Sequence, residues 1–314
     1  MNQIMDGEAT PAQIAALLTA IRCRGEQVDE VVGFARAMRA HATPVPTTRR
    51  PLIDTCGTGG GGASTINVST AAAIVAAAAG VAVAKHGNRA MTSRCGSADV
   101  LTALGLRLDL PPERLGRGID EIGIAFLLAP ALHPAMKHAV GPRREIGIRT
   151  VFNLLGPLTN PAGADGQVIG VPAPELVELV ATALARLGTR RSLVVHGLIG
   201  LDELAGEGPT LVGDVRGETV EFYRITPADA GLSEHPLAEV LGGDAPQNAA
   251  DTLAVLDGQP GAKRDLIVLN AAAAMVVGGA AGDLAAGAAL AAATINSGAA
   301  RAKLEQWRQW TLAA

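Results

Sequence analysis

The pattern of hydrophobic and polar residues divides the chain near residue 50. Residues 8–42 are typical of two helices, in the segments TPAQIAALLTAIRCRG and VDEVVGFARAMRAHA. Thr10 can cap the first helix, Pro11 suits its first turn, and Gly25 suits its end. The Pro- and Thr-rich stretch TPVPTTRRP that follows is typical of a linker.

From Leu52 onward, short strand-like apolar runs alternate with Ala-rich helical stretches. The strand-like runs are PLIDT, VAVAK, GIAFLL, GQVIGV, SLVVHG, TLVGDV and TVEFYRI. This alternation is typical of a largely parallel sheet covered by helices, with ligand-binding loops at the carboxyl ends of the strands. The segment HPAMKHAVGPRREIGIRTVFNLLGPLTNPAG interrupts it. The sequence therefore predicts an α/β protein: a small all-helical domain plus a larger α/β domain with a mainly parallel central sheet.

Composition and charge exclude several functional classes. The apolar run 71–84 is fourteen residues long, too short to span a bilayer. The acidic, polar N-terminus has no apolar signal core, and three cysteines without CxxC spacing indicate reduced thiols. A net charge of −4 disfavours a nucleic-acid partner, which needs a basic face. We therefore expect a cytoplasmic protein without a membrane or nucleic-acid partner.

The glycine stretch DTCGTGGGGASTINVST indicates an anion site. It contains GxGxxG, but residues 55–98 hold no Asp or Glu to bind the ribose of a dinucleotide. No Lys follows at the spacing of a Walker loop. What remains is a glycine backbone, hydroxyls at a helix start and the cations of a second loop, which together suit phosphate. The alternative is a flexible surface turn, although four glycines cost folding entropy without a packing return.

Longer ordered strings make the pattern specific. KHGNRAMTSRCGSADVLTALG, with the glycine stretch, HPAMKHAVGPRREIGIRTVFNLLGPLTNPA and VVHGLIGLDE, resembles glycosyltransferase family 3 and its tryptophan-pathway phosphoribosyltransferases. The resemblance continues through YRITPADAGL, LGGDAPQNA and RDLIVLNAAAA, so it covers nearly the whole chain. It implies a fold like that of the class II nucleoside phosphorylases.

The resemblance also implies a reaction and an organisation. The reaction moves the 5-phosphoribosyl group of 5-phosphoribosyl 1-pyrophosphate (PRPP) to the amine of anthranilate and releases pyrophosphate, with Mg²⁺ as cofactor, in tryptophan biosynthesis. The implied domains are a helical one over residues 1–46, completed by helices within 133–160, and a donor-binding α/β one over 47–132 and 161–314. A homodimer through the helical domain is implied as well.

The resemblance assigns site residues by position. The residues implied to bind PRPP are Gly57, Gly60, Gly61, Thr65, Asn67, Val68, Ser69, Thr70, Lys85, His86, Gly87, Asn88, Arg89, Ser93 and Ser97. Those implied to bind anthranilate are Gly57, His86, Asn88, His133, Arg143, Gly156 and Pro157. Those implied to bind the metal are Ser69, Asp202 and Glu203. No residue is implied as a dedicated acid or base, because an arylamine loses its proton readily once the new bond forms.

Charge explains why these residue types suit these roles. Lys85 would stabilise the leaving pyrophosphate, and the planar guanidinium of Arg143 would bind a carboxylate through two hydrogen bonds. Hard Mg²⁺ prefers carboxylate and phosphate oxygens, which Asp202 and Glu203 and the donor would supply. The alternatives are a solvated lysine at a strand end, solvated loop acids, and for His133 an N-cap or turn residue before Pro134.

Two positions depart from the family pattern. Gly61 stands where the family usually has the Asp of GTGGDG, so a carboxylate near the pyrophosphate is missing. Ile199 stands where an acidic residue is common. The N-terminus is also shorter than in the family by part of the first helix, which bears on the dimer contact.

Three other functions share the expected fold. A pyrimidine nucleoside phosphorylase would use orthophosphate and would not need the acidic pair. A non-catalytic nucleic-acid-binding relative should be basic and should lose the anthranilate residues. A phosphoribosyltransferase for another aromatic acid is the nearest alternative, and only an activity assay separates it.

Overall fold

The computed structural model describes residues 1–90 and 94–313. The α-helices of this part of the chain are α1 (Asn2–Met5), α2 (Pro11–Arg24), α3 (Val28–Ala40), α4 (Val68–Ala78), α5 (Ser97–Ala103), α6 (Pro112–Ile122), α7 (Ala129–Leu132), α8 (Lys137–Ile146), α9 (Phe152–Leu155), α10 (Glu175–Arg186), α11 (Ala245–Leu256), α12 (Ala262–Gly278), α13 (Leu284–Asn296) and α14 (Ala299–Leu312). The strands are β1 (Leu52–Asp54), β2 (Ala82–Gly87), β3 (Ile124–Leu128), β4 (Gly166–Gly170), β5 (Arg191–Gly197), β6 (Thr210–Arg216) and β7 (Thr219–Ile225). Short 3-10 helices cover Pro134–Met136, Pro157–Thr159, Pro227–Ala230 and Leu237–Val240.

The first long helix begins and ends where its sequence signals predict. The Thr10 side chain accepts a hydrogen bond from the Gln13 N–H, and Gln13 Oε1 accepts one from the Thr10 N–H, which completes a capping box. Pro11 occupies the first turn, and Gly25, at φ 92°, ends the helix. The sequence did not predict the short helix α1.

The N-terminal helices pack against the segment that interrupts the α/β alternation. α2 contacts α8, and α3 contacts α9 and α10. Their shared core includes Ile14, Leu18, Val31 and Leu155, all nearly inaccessible to solvent. Burial of such apolar side chains is the main force that holds the two parts together.

One sheet forms the centre of the described residues, with the strand order β3-β2-β1-β4-β5-β6-β7. The pairs from β3 to β5 are parallel, and β6 and β7 are antiparallel additions at one edge. A two-residue turn joins β6 to β7, which leaves no room for the crossover that a parallel pair needs. The predicted α/β fold with a helical N-terminal domain and a mainly parallel sheet is confirmed.

The apolar run 71–84 covers most of α4 and the start of β2, and a second Ala-rich apolar stretch lies in α12. These helices lie against each other, and their alanines are almost completely buried. Small side chains allow such close helix packing, which accounts for the low aromatic content. In the described residues, no helix has both the length and the apolar character needed to cross a membrane.

The sheet topology collects the candidate loops at one edge. The strands β1, β2, β4 and β5 are neighbours or near neighbours and run in the same direction. The loops that leave their carboxyl ends therefore meet. These loops carry the glycine stretch, the KHGNR string and the acidic pair.

Candidate active site

The glycine loop between β1 and α4 is anchored rather than free. The Thr58 N–H donates to the Gly170 carbonyl at 2.9 Å, and the Gly62 N–H donates to the Gly200 carbonyl at 3.0 Å. Gly59 and Gly60 have φ values of 68° and 92°, which favour glycine. These contacts argue against the flexible surface turn.

Arg149 lies directly over this loop. Its Nη2 donates to the Gly59 carbonyl at 2.9 Å, and a Cβ at Gly60 would lie 1.6 Å from Arg149 Nη1. Gly60 is thus required both by its φ and by the space that the guanidinium occupies. Sequence reasoning missed Arg149, although it lies in the family-like string GIRTVFN.

Lys85, at the end of β2, is buried beneath the loop with 1% of its surface exposed. Its Nζ donates to Ser69 Oγ at 3.2 Å and lies 3.4 Å from both Thr55 Oγ1 and the Thr55 carbonyl. Within residues 1–90 and 94–313 no carboxylate forms an ion pair with it. Burial lowers the pKa of Lys85, while the nearby Cys56, Asp54 and Glu203 raise it. The solvated-lysine alternative is therefore wrong.

The start of α4 carries the remaining loop residues that were assigned to the donor. Asn67 precedes the helix as its N-cap, Val68 is completely buried, and Thr70 Oγ1 is buried without a hydrogen-bond partner in the described residues. Thr65 Oγ1 donates to Glu203 Oε2 at 3.2 Å, which joins the glycine loop to the acidic pair. A helix N-terminus of this kind favours anionic ligands.

Asp202 and Glu203 lie in the loop after β5, with Gly170 of β4 against them. A Cβ at Gly170 would lie 1.5 Å from the Asp202 carbonyl oxygen. Burial raises the pKa of Asp202; burial, and then the neighbouring Asp202, raise the pKa of Glu203 well above its usual range. Two adjacent carboxylates in a low-dielectric setting repel each other, and a divalent cation would relieve this repulsion. These two carboxylates therefore fit Mg²⁺. If they were merely solvated loop acids, they would be exposed.

Gly61 lies against the first of these acids. A Cβ there would lie 2.3 Å from Asp202 Oδ1 and 3.2 Å from the Asp202 backbone nitrogen. The glycine that departs from the family pattern thus makes room for the carboxylate of Asp202. An aspartate at position 61 would require Asp202 to move.

The KHGNR string forms the end of β2 and the loop to α5. Ser97 Oγ donates to the Asn88 carbonyl at 3.3 Å, and a Cβ at Gly87 would lie 2.3 Å from that Oγ. Arg89 pairs with Asp99 at 3.2 Å, so its charge already has a partner. Ser93, which was also assigned to the donor, lies outside the described residues.

Two neutral histidines lie side by side where the acceptor was expected. The rings of His86 and His133 have centroids 5.1 Å apart, and His86 Nδ1 lies 3.2 Å from the Gly156 carbonyl, to which it donates as the N–H tautomer. Burial lowers the pKa of His86 to about 3 and the pKa of His133 to about 4. Both Nε2 atoms are buried without a partner in the described chain. His133 also occupies the N-cap position of the 3-10 helix that begins at Pro134, as its turn-residue alternative requires, although its side chain makes no capping bond.

Asp54 and Asn160 hold His86 from behind. Asp54 Oδ1 accepts from the His86 N–H at 3.1 Å, and Oδ2 accepts from Asn160 Nδ2 at 2.8 Å. Burial raises the pKa of Asp54 to about 6. Sequence reasoning missed both residues, because neither is itself among the ligand positions of the family pattern. Pro157, next to Gly156, is buried at the start of a 3-10 helix.

Arg143 lies near the end of α8, with its Cζ 5.1 Å from the centre of the Phe152 ring. It is half-buried, and this burial lowers the pKa of its guanidinium. Among the described residues its guanidinium has no hydrogen bond, no ion pair and no ring contact with either histidine. A guanidinium that is held against an aromatic ring and has no carboxylate partner can bind an anionic ligand.

The sequence matches known family models and known proteins over nearly its whole length. A glycosyl transferase family model of a helical bundle domain matches residues 1–42, and one of an α/β domain matches residues 49–301. The chain is 56% identical to anthranilate phosphoribosyltransferase of Moorella thermoacetica over 310 residues, which cover 99% of this chain and 91% of that protein.

Solved structures agree. The anthranilate phosphoribosyltransferase of Thermus thermophilus superposes with a TM-score of 0.95 at 48% identity, over 99% of this chain and 93% of that one. The Saccharomyces cerevisiae enzyme in complex with PRPP and Mg has a TM-score of 0.87 at 29% identity, over 96% and 85% of the two chains. The same yeast enzyme in complex with 4-fluoroanthranilate has a TM-score of 0.86 at 28% identity, with the same coverage.

Proposed function

The chain belongs to glycosyltransferase family 3, and from this we propose that it transfers the 5-phosphoribosyl group of PRPP to the amine of anthranilate, with release of pyrophosphate. The relatives that align with nearly the whole chain are named anthranilate phosphoribosyltransferase. The reaction belongs to tryptophan biosynthesis.

The observation that best supports this function is the buried ammonium of Lys85 beneath the glycine loop, which forms no ion pair within residues 1–90 and 94–313. A buried charge is costly unless a partner compensates it. PRPP supplies that partner, because its pyrophosphate is the group on which negative charge grows as the C1–O bond breaks. Preorganised charge at this place stabilises the transition state more than the substrate.

We assign the donor to the glycine loop and the two segments that meet it. The groups that bind PRPP are the backbone of 57–61, the side chains of Thr65, Asn67, Ser69 and Thr70, and the loop from Lys85 to Asn88 with Ser93 and Ser97. Val68 shapes the helix start, and Arg89 orders its loop through Asp99. Asp202, Glu203 and Ser69 hold Mg²⁺, which supplies a Lewis acid for the departing pyrophosphate.

We assign the acceptor to the opposite side. Arg143 binds the anthranilate carboxylate, and His86, His133, Asn88, Gly57, Gly156 and Pro157 surround the ring. The neutral histidines offer flat walls without a competing charge. Held in this way, the amine approaches the sugar carbon as oxocarbenium character develops there.

Three wider expectations accompany the activity. The helical domain comprises residues 1–46 with helices of 133–160, and the α/β domain comprises 47–132 and 161–314. The protein forms a homodimer through its helical domain. It works in the cytoplasm, in keeping with three free cysteines, Cys23, Cys56 and Cys95.

The decay of anthranilate fluorescence in the presence of PRPP and Mg²⁺ tests the proposal. We expect a decay that requires the donor and the metal and that releases one pyrophosphate per anthranilate. No decay with anthranilate, but turnover of another aromatic acid, would favour the nearest alternative. Phosphorolysis of a pyrimidine nucleoside, or tight binding of nucleic acid without turnover, would contradict the proposal.

A further inference from the structure

Two buried asparagines on the C-terminal helices contact the loops of the proposed donor site from behind. Asn248 lies on α11 and Asn270 on α12, with 1% and 6% of their surfaces exposed. They belong to the strings LGGDAPQNA and RDLIVLNAAAA, to which no role has been given above. We infer that both are positioning residues: Asn248 orients the PRPP-binding amide of Asn67, and Asn270 orients the acidic pair. This inference rests on the proposed function.

Asn248 forms the middle of a chain of oriented amides. Its Oδ1 accepts from the Gly243 N–H at 2.7 Å, so its Nδ2 is left to donate to Asn67 Oδ1 at 2.9 Å. Asn67 Nδ2 in turn donates to the Cys95 carbonyl at 3.2 Å. Each amide can be oriented in only one way that satisfies both neighbours, because a backbone N–H begins the chain and a carbonyl ends it.

The backbone around Asn248 holds the glycine loop as well. The Ile66 N–H donates to the Val240 carbonyl at 3.1 Å, and the Gly242 N–H donates to the Ser64 carbonyl at 2.9 Å. A Cβ at Gly242 would lie 2.6 Å from the Thr65 carbonyl oxygen. Residues 64–67 are therefore positioned by the segment before α11, and Asn248 adds the side-chain contact that reaches a ligand position.

Asn270 holds the backbone next to the acidic pair in the same way. Its Oδ1 accepts from the Leu204 N–H at 3.2 Å, and its Nδ2 donates to the Leu204 carbonyl at 3.1 Å and the Leu266 carbonyl at 2.9 Å. Leu204 follows Glu203 directly. Because both polar atoms of the Leu204 backbone are held by one rigid amide, the direction in which the chain presents Glu203 is fixed from α12.

The two asparagines contact different parts of the site, so their roles are separable. Asn248 reaches the donor through Asn67, and Asn270 acts next to the proposed metal residues. A purely structural role would lower stability and turnover without this selectivity. The selectivity is the property to measure.

Asn248→Asp and Asn270→Asp keep the side-chain shape and the acceptor but remove the Nδ2 donor. For Asn248→Asp we expect the KM for PRPP to rise about tenfold, even at saturating Mg²⁺, with the KM for anthranilate unchanged. For Asn270→Asp we expect the half-saturating Mg²⁺ concentration to rise about tenfold, with the KM for PRPP restored at high Mg²⁺. The neutral, shorter variants Asn248→Ser and Asn270→Ser should show the same split if a buried carboxylate prevents folding.

Thr252→Val is the matched control. Thr252 is as buried as Asn248 and lies one turn along α11, but within the described residues its Oγ1 bonds only to the Asn248 carbonyl. We expect it to lower the Tm and leave both KM values and the Mg²⁺ requirement unchanged. Equal shifts in the control, or the same parameter shifted by both asparagine variants, would overturn the inference.

Calorimetric titration of PRPP with Mg²⁺, without anthranilate, separates this inference from the proposed function. If the wild type binds PRPP but does not turn over anthranilate, the proposed function fails and the binding comparison still decides the roles of the asparagines. If the wild type is active and the variants bind PRPP and Mg²⁺ as it does, the inference fails alone.

Discussion

The donor side of the candidate site consists largely of charged groups and backbone, whereas the acceptor side consists largely of neutral rings. The donor side combines an anchored backbone loop with the buried ammonium of Lys85 and the half-buried carboxylates of Asp202 and Glu203. The acceptor side has two neutral histidines and one half-buried guanidinium, Arg143. The difference matches the ligands, because PRPP and Mg²⁺ carry many charges, whereas anthranilate is a flat ring with a single carboxylate.

This contrast predicts that substitutions on the two sides change different kinetic properties. Loss of a donor-side charge leaves the other charges of the site uncompensated, so it should affect catalysis strongly. Loss of a group assigned to the acceptor alone, such as Arg143, should weaken only the binding of anthranilate. Variants on the two sides therefore test whether the division is real.

The largest effect is expected from Asp202→Asn with Glu203→Gln. The double variant should lower kcat/KM by orders of magnitude and move the Mg²⁺ dependence to higher concentration, because the proposed metal ligands are lost. Its Tm should not fall, since two mutually repelling carboxylates are removed. A magnesium titration identical to that of the wild type would contradict the metal assignment.

Arg143→Ala should affect the acceptor alone. It removes a charge-assisted contact worth about 1.5–3 kcal/mol, so the KM for anthranilate should rise roughly ten- to hundredfold while that for PRPP stays nearly constant. Arg143→Lys should restore only part of the loss, because a point charge cannot reproduce the planar fork.

Aniline provides the control for this variant. Without the carboxylate it should be a poor substrate for the wild type and no worse for Arg143→Ala. Equal losses for donor and acceptor would mean that Arg143 supports the fold instead.

Gly61 should have a smaller, graded effect. Gly61→Ala places a Cβ 2.3 Å from Asp202 Oδ1 and should displace that carboxylate, raising the half-saturating Mg²⁺ concentration a few-fold. Gly61→Asp has the same steric effect but adds a third carboxylate, so it should need less Mg²⁺ than Gly61→Ala does. If the two variants need the same Mg²⁺ concentration, the added charge has no influence on the metal.

The smallest effect concerns acid stability. Because the pKa values of His86 and His133 lie near 3 and 4, below the ordinary 6.5, the unfolded chain binds more protons between pH 6.5 and 4. Their contribution to the free energy of unfolding is fully present above pH 6.5 and decreases as the pH falls toward 4. The Tm of His133→Gln should therefore depend less on pH in this window, as measured by thermal unfolding. An unchanged slope would mean that folding does not lower the pKa of His133.

Much of the fold could be predicted because each element had a local signal. Thr10, Pro11 and Gly25 defined α2, and the seven apolar runs became the seven strands of the sheet. The antiparallel direction of β6 and β7 depends on the loop 198–209 and on the two-residue turn between these strands, and α1 is one turn long without a capping side chain. Neither has a comparable periodic signal.

The site could be predicted only where chemistry showed in the sequence. The absence of acids from residues 55–98 pointed to an anion, and the resemblance supplied the residues. Arg149, Asp54 and Asn160 were missed because their contacts join segments far apart in the chain. The burial of Lys85 could not be predicted either, since a lysine at a strand end is usually solvated.

Lys85→Met gives the most direct test, because the buried ammonium is the observation on which the donor site rests. The variant keeps an unbranched chain but removes a charge that no carboxylate of the described residues pairs. Measured together, calorimetric PRPP affinity in the presence of Mg²⁺ and Tm should move in opposite directions: binding should fall at least about a hundredfold while the Tm rises. A lower Tm with unchanged PRPP affinity would contradict the assignment of Lys85 and, with it, the proposed donor site.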